Sequence, residues 1–304
     1  MVTGCEPRPF SRTSTYLNLN REFVREVLRT TEPPRCIVDL ACGDGLLTEL
    51  LLGSQARLRS VSSDLLPEPR ELTVFGIDAS EVALEKADRK LRAVADAAAR
   101  RETGELMRLR IGLARAAGTA LPIADGAVDA VLLGNAIHCF TEKRVVLAEV
   151  HRVLRPRGAF AFNTAFYAGT MVAGTEEFYG EWMKEAVRLL IPQGQSPLRR
   201  KRGDGAFVNR WLGPDEYSRM LHENGFDVIQ VSERRVELSR ADFLSLAVDD
   251  AGSWEHGLVS VLLPGYPASL ACDALRKGID VAIEIARLSK VPRSWLEVIC
   301  CRSD

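Results

Sequence analysis

Apolar residues follow two different spacings along this chain. Residues 20–30, NREFVREVLRT, have the spacing of an amphipathic helix, and Pro33-Pro34 stops it. Short apolar runs with β-branched residues then recur at Cys36–Leu40, Leu72–Ile77, Leu109–Leu113, Val128–Leu133 and Ala159–Ala165, and read as strands. Between them, Leu46–Leu52, Ser80–Arg100 and Thr141–Leu154 read as helices, with Ser80 a natural N-cap and Thr141 opening the last. Residues 53–71, mixed in Ser, Pro and charge, read as a loop, and Pro156-Arg157-Gly158 as a turn before the fifth strand.

Strands alternating with helices predict parallel β-α-β units in an α/β, doubly wound, mostly parallel sheet covered by helices on both faces. The rhythm changes after residue 166. Residues 170–191 read as helical, 192–204 as a loop, Pro214–Asn224 as a helix stopped by Gly225, and 241–289 as mostly helical with a break at Pro264-Gly265-Tyr266-Pro267. Phe226–Val231 and Trp295–Cys301 complete a seven-stranded sheet. The expectation is one domain over 1–304, with a ligand-binding core at about 20–165. Helix-rich insertions at about 170–205 and 241–289 are expected to roof one end of the sheet.

Composition narrows the chemistry. A net charge of -1 over 304 residues argues against a nucleic acid as the main partner, because phosphate binding relies on a positive surplus. The run Arg199-Arg200-Lys201-Arg202 reads as a solvated loop. Seven cysteines without a Cys-x-x-Cys pair, two of them adjacent at Cys300-Cys301, fit free thiols in a reducing cytoplasm and give no metal site. The first residues lack the apolar segment of a secretory signal, and no apolar run approaches a membrane span, so a cytoplasmic location is expected.

The candidate site begins at IVDLACGDG, residues 37–45, where a strand runs into Asp39 and then Gly43 and Gly45. Glycines at a strand end let a backbone turn sharply and approach a ligand. A dinucleotide fingerprint would place a third glycine at Thr48, and carboxylates at Asp39 and Asp44 would repel a pyrophosphate while suiting a cationic ligand. Asp78 ends the second strand, where a carboxylate accepts hydrogen bonds from ribose hydroxyls; a helix N-terminal carboxylate is the plainer reading.

These residues resemble the class I S-adenosylmethionine-dependent methyltransferases. Asp39-Leu-Ala41-Cys42-Gly43-Asp-Gly45 is similar to their glycine-rich motif, and Gly76-Ile-Asp78-Ala79-Ser80 to their ribose segment. Leu121-Pro122-Ile-Ala-Asp125-Gly-Ala-Val-Asp129 resembles their acidic loop before the fourth strand. Glu149-Val-His-Arg152-Val-Leu-Arg155-Pro-Arg-Gly158 resembles their helix and turn before the fifth. The resemblance implies a Rossmann-like methyltransferase fold with helical lid segments and S-adenosylmethionine as cofactor. In it Asp39 meets the ammonium of the methionyl tail directly or through water, and Ala41, Cys42, Gly43 and Gly45 lie against the cofactor. Asp78 and Ala79 hold the ribose end, Gly134 and Asn135 face the tail, and Tyr16, before the first helix, is a lid. Relatives often place a carboxylate against adenine where this chain has Ala117 and Gly118, so backbone groups would read the base here.

His138, just after the fourth strand, is the candidate general base, its free pKa of roughly 6.5 suiting proton removal near neutrality. A packed or substrate-contacting histidine is the alternative. Tyr179, Trp182, Phe207 and Trp211 either line an acceptor pocket or pack a helical core. The expected reaction is methyl transfer to oxygen or carbon of a small-molecule acceptor such as a polyketide, lipid-like or aromatic product. A cyclase that retains the cofactor, or a non-catalytic cofactor-binding protein, keeps the same fold.

Overall fold

The computed structural model describes residues 9–32, 34–59, 72–99, 109–191, 211–248, 258–259, 262–263 and 265–304. Contacts divide the chain into two compact units. The first comprises residues 19–167, 211–233 and 296–304; the second comprises the described parts of 1–18, 168–210 and 234–295.

The first unit is built on a seven-stranded sheet: β1 (Cys36–Leu40), β2 (Leu72–Asp78), β3 (Leu109–Arg115), β4 (Val128–Gly134), β5 (Leu154–Thr164), β6 (Phe226–Leu238) and β7 (Val291–Arg302). The order is β3-β2-β1-β4-β5-β7-β6. Strands β1 to β5 pair in parallel, and β7 is antiparallel to β5. The chain starts in the middle and reverses direction across β1, so the ends of β1 and β4 form the switch point where such sheets bind ligands. Ile37, Val38, Val74, Val131, Leu133, Phe160 and Phe162 are buried in the sheet. Helices α2 (Leu46–Arg59), α3 (Glu81–Ala99), α4 (Lys143–Val153) and α6 (Pro214–Glu223) make the crossovers, after α1 (Ser14–Thr30).

Several boundaries differ from the sequence expectation. The first helix opens at Ser14, so Tyr16 lies inside its first turn rather than ahead of it. The second helix continues through residues 53–59, which were expected to be loop; 60–71 lie outside the described residues. Helix α4 opens at Lys143, because a short 3-10 turn, η2 (Ile137–Cys139), occupies the chain just before it and Thr141 caps nothing. Ser80 does cap α3, its Oγ accepting from Ala83 N at 3.3 Å. The Pro156-Arg157-Gly158 turn is an irregularity within β5, with Arg157 left-handed at φ 60° and the β4–β5 register shifting beside it. Gly225, at φ +80°, ends α6 as expected.

Two of the family-like segments are joined by one side chain. Arg152 of α4 donates to Leu121 O, Ile123 O and the carboxylates of Asp125 and Glu149, while Glu149 accepts from Leu121 N at 2.6 Å. The acidic loop before β4 is thereby held against the helix after it.

The second unit is helical. Helix α5 (Glu176–Leu190) packs along α8 (Ala268–Ala286), with α7 (Arg240–Leu246) beside α8. Residues 170–175, expected to begin α5, are instead irregular, and Thr170 pairs with Ser294. Phe178, Trp182 and Phe243 form its aromatic core, and Trp182 Nε1 donates to Leu275 O at 2.8 Å. No helix among the described residues is long and apolar enough to cross a membrane.

Candidate functional site

The glycine turn leaves β1 in an unusual conformation. Ala41, Gly43 and Gly45 all have positive φ, at 53°, 55° and 80°. A left-handed alanine is strained, so this turn is held by its surroundings. Cys42 N donates to Ile77 O, and Gly45 N to Cys42 O. The two glycines are needed for different reasons. A Cβ on Gly45 would lie 3.1 Å from Leu91 of α3, whereas a Cβ on Gly43 would meet nothing within 4 Å. The backbone at Gly43 therefore faces open space, as close approach of a ligand requires.

Asp78 and Asp39 both serve this turn. Asp78 accepts from Gly43 N at 2.9 Å and from Ser80 N at 2.8 Å, so it ties the turn to the start of α3 while staying half-buried. Two lone pairs are occupied in this way, and a carboxylate has about four. Asp39 is 1% exposed, and one of its oxygens accepts from both Thr48 N and Thr48 Oγ1. Burial pushes its carboxyl up to about 7, against the pull of the Thr48 hydrogen bonds. Asp44 is partnered by Lys90 at 2.9 Å, so its charge is met within the protein.

The ends of β2 and β3 bring Ala117 and Gly118 into the same region. Ala116 N donates to Asp78 O, and Ala117 O accepts from Ala120 N to close a turn. Gly118 is buried because the ring of Phe140 covers it. Phe140 in turn is fixed through its carbonyl, which accepts from the buried Lys143 Nζ at 2.7 Å. Sequence reasoning passed over Phe140 and Lys143; neither belongs to a spacing motif.

At the end of β4, Asn135 is left-handed at φ 48°. His138 follows in η2 and is 5% exposed. Its ring stacks on Phe166, with centroids 4.2 Å apart, and Nδ1 lies 3.2 Å from Thr164 Oγ1. Nε2 faces Cys139 Sγ at 3.4 Å. Trp211 packs edge-on to Phe166. Tyr217 places a buried hydroxyl with no hydrogen-bond partner in the same unit. Thr164 and Tyr217 are further candidates that sequence reasoning missed.

Tyr16, the expected lid, lies in the second unit and packs edge-on against Phe10 and Trp295. Tyr179 and Trp182 belong to that unit's aromatic cluster, and Phe207 and the basic run at 199–202 lie outside the described residues. Among the described residues no cluster of three or more metal-ligating side chains occurs.

Residues 38–162 match a family described as a methyltransferase domain. An uncharacterized chloroplastic methyltransferase of Arabidopsis thaliana is 32% identical over 133 residues, which is 44% of this chain and only 31% of that protein. A demethylmenaquinone methyltransferase of Thermotoga maritima is 26% identical over 208 residues, covering 68% of this chain and 76% of the relative. The solved structure of the BH2331 protein of Bacillus halodurans covers 94% of this chain at a TM-score of 0.52 and 11% identity, and YcgJ of Bacillus subtilis gives 0.52 at 14%; both speak to the fold alone. With the sheet order, the glycine turn and Asp78 in place, residues 38–162 carry the fold and the sequence pattern of a methyltransferase domain.

Proposed function

We propose that the protein transfers a methyl group from S-adenosylmethionine to oxygen or carbon of a small-molecule acceptor, with His138 as general base. The observation that carries this reading is a buried imidazole held by Thr164 beyond the end of β4, beside the strand whose glycine turn serves the cofactor.

The residues present fit the cofactor. Asp78 has lone pairs left for ribose hydroxyls, and its neighbour Ala79 shares that strand end. Open space at Gly43 suits a backbone lying against the nucleoside, with Ala41, Cys42 and Gly45 shaping the turn. Ala117 and Gly118 offer backbone groups to adenine. Asp39, sealed beneath the turn, contributes negative charge toward the ammonium of the tail, which meets Gly134 and Asn135. When bound, the cofactor supplies a methyl group already activated by sulfonium.

The protein's share of the reaction is positioning and proton removal. An acceptor hydroxyl or acidic C–H gives its proton to His138 as its oxygen or carbon attacks. Phe166 and Trp211 provide an apolar wall on the His138 side that suits a flat or lipid-like acceptor. The Thermotoga relative is named for a quinone-type acceptor, which supports a ring acceptor here.

Turnover with a methyl-labelled donor and a panel of hydroxylated aromatic, polyketide and quinol acceptors tests this reading. Label should enter at least one acceptor. His138→Ala should lower the rate by about 10²–10⁴-fold with nucleoside affinity preserved. An unchanged rate at every pH would remove His138 from the chemistry, and an unlabelled, cyclised product would replace transfer with ring closure.

A further inference from the structure

Three asparagines form a hydrogen-bonded series inside the first unit. Asn163 of β5 is fully buried; its Nδ2 donates to Asn20 Oδ1 of α1 at 3.0 Å, and its Oδ1 accepts from Asn135 N at 2.9 Å. Asn135, 4% exposed, accepts at Oδ1 from Ala165 N at 2.9 Å. The orientations follow from chemistry. A backbone N–H only donates, so an amide oxygen must face it; turning Asn135 over would set its NH2 group against the Ala165 N–H. The Nδ2 of Asn135 is consequently left buried with no hydrogen-bond partner in the protein.

Leaving a buried donor unpaired costs stability, and such groups call for an explanation. The position supplies one. Leu133 and Leu40 are register partners, so Asn135 stands beside the turn that begins at Ala41, two strands from Asp78. Neighbouring strands lie about 4.8 Å apart, which sets Asn135 roughly 10 Å from the ribose acid. That separation matches the step from the ribose to the amino-acid end of the cofactor.

We infer that Asn163, braced by Asn20, is a positioning residue that clamps Asn135 in its left-handed turn so that Asn135 Nδ2 donates to a carboxylate oxygen of the cofactor's tail. The inference rests on the cofactor reading above. Asn163 touches no ligand; its side chain acts through the Asn135 backbone N–H, which its Oδ1 shares with its own backbone carbonyl at 3.0 Å. Glu297, the register partner of Asn163 on β7, is likewise buried, so the series lies in a polar layer within the sheet.

The test is calorimetric titration of the full chain with S-adenosylhomocysteine and with 5′-methylthioadenosine, which lacks the amino-acid tail. Asn135→Asp keeps the acceptor for Ala165 N but removes the donor. It should weaken S-adenosylhomocysteine binding by about tenfold or more and leave 5′-methylthioadenosine within about twofold. Asn163→Ser should weaken the first ligand similarly, Asn163→Asp should restore it by keeping the acceptor oxygen while Asn20 turns its NH2 group over to donate to the carboxylate, and the Asn135→Asp/Asn163→Ser pair should bind no more weakly than Asn135→Asp alone. Asn20→Ser, which leaves every strand hydrogen bond in place, should show the same selective loss if Asn163→Ser does not fold. Losses that multiply in the pair, or that fall equally on both nucleosides, would overturn the positioning role. Unchanged S-adenosylhomocysteine affinity in Asn135→Asp with a raised KM for the acceptor would move the donor to the acceptor's oxygen and overturn the assignment. Failure of the unaltered protein to bind either nucleoside would instead strike the cofactor reading itself.

Discussion

His138 Nδ1 and Thr164 Oγ1 lie 3.2 Å apart, and the same Thr164 oxygen accepts from Phe166 N at 3.0 Å. A hydroxyl oxygen has two lone pairs, so Thr164 can accept from Phe166 N and from the imidazole Nδ1–H together. The base role proposed for His138 requires that tautomer, with the ring proton on Nδ1 and the Nε2 lone pair left for the acceptor. The threonine thus fixes the ring orientation.

Replacing Thr164 by Val keeps the shape and removes the hydroxyl. Turnover should fall by about tenfold, with a smaller change in nucleoside affinity, as the imidazole loses its fixed orientation. Stability should drop by about 1–2 kcal/mol, since the buried Phe166 N–H loses its acceptor. Steady-state kinetics and denaturant melts on the same variant separate the two effects.

Asp39 predicts a pH dependence. Its folded pKa, raised by burial to about 7, lies above the unfolded value, so the folded state holds a proton that the unfolded state releases. The stability this gives is fully present below the unfolded pKa and is lost as pH rises through about 7. Asp39→Asn lacks the effect. Relative to the unaltered protein, the variant should therefore gain on the order of 2 kcal/mol between pH 5 and pH 8 in denaturant melts. Cofactor affinity should move the other way in the unaltered protein, rising over the same range as the ionised carboxylate meets a cationic tail, and should flatten in Asp39→Asn.

The two glycines of the turn should respond differently to alanine. Both changes place a side chain at positive φ, at a cost of about 1–2 kcal/mol. Gly45→Ala adds a close contact with Leu91, so it should lose at least about 1 kcal/mol more than Gly43→Ala. Gly43→Ala should fold with modest loss yet bind nucleoside poorly, because its new methyl fills the open space. Equal losses of stability and binding in both would remove that distinction.

Arg152→Met should destabilise by about 2–3 kcal/mol, since it removes charge-assisted bonds, leaves Ile123 O without its Arg152 donor and leaves Leu121 O with the Ile123 N–H alone. Hydrogen exchange should quicken first in residues 121–126, the loop that Arg152 holds.

Much of this architecture was legible in the chain because it is written locally. Apolar runs such as Ile37–Leu40 and Val131–Leu133 are buried in a parallel sheet and carry few polar residues, and Ser80 sits one residue ahead of its helix. Boundaries set by longer-range contacts were not legible. Ser14–Leu19 lacks the period of the residues after it, and its Tyr16 is anchored by Trp295, far along the chain. Thr141 looked like a cap, but the preceding turn and the Lys143–Phe140 bond set the helix start. The site divides in the same way. Asp39, Gly43, Gly45 and Asp78 are recognisable from spacing. The partners of His138 and Asn135 lie 26 and 28 residues away on β5, where only the pairing of β4 with β5 brings them together.

The proposed cofactor site turns on Asp78, and titration of the purified protein with S-adenosylmethionine, with NAD as the competing nucleotide, reads it most directly. One molecule of S-adenosylmethionine should bind per chain, NAD should not, and Asp78→Asn should weaken the binding by about tenfold or more. Binding of NAD in place of the sulfonium nucleoside, or an Asp78→Asn variant that binds S-adenosylmethionine as tightly as the unaltered chain, would contradict the account.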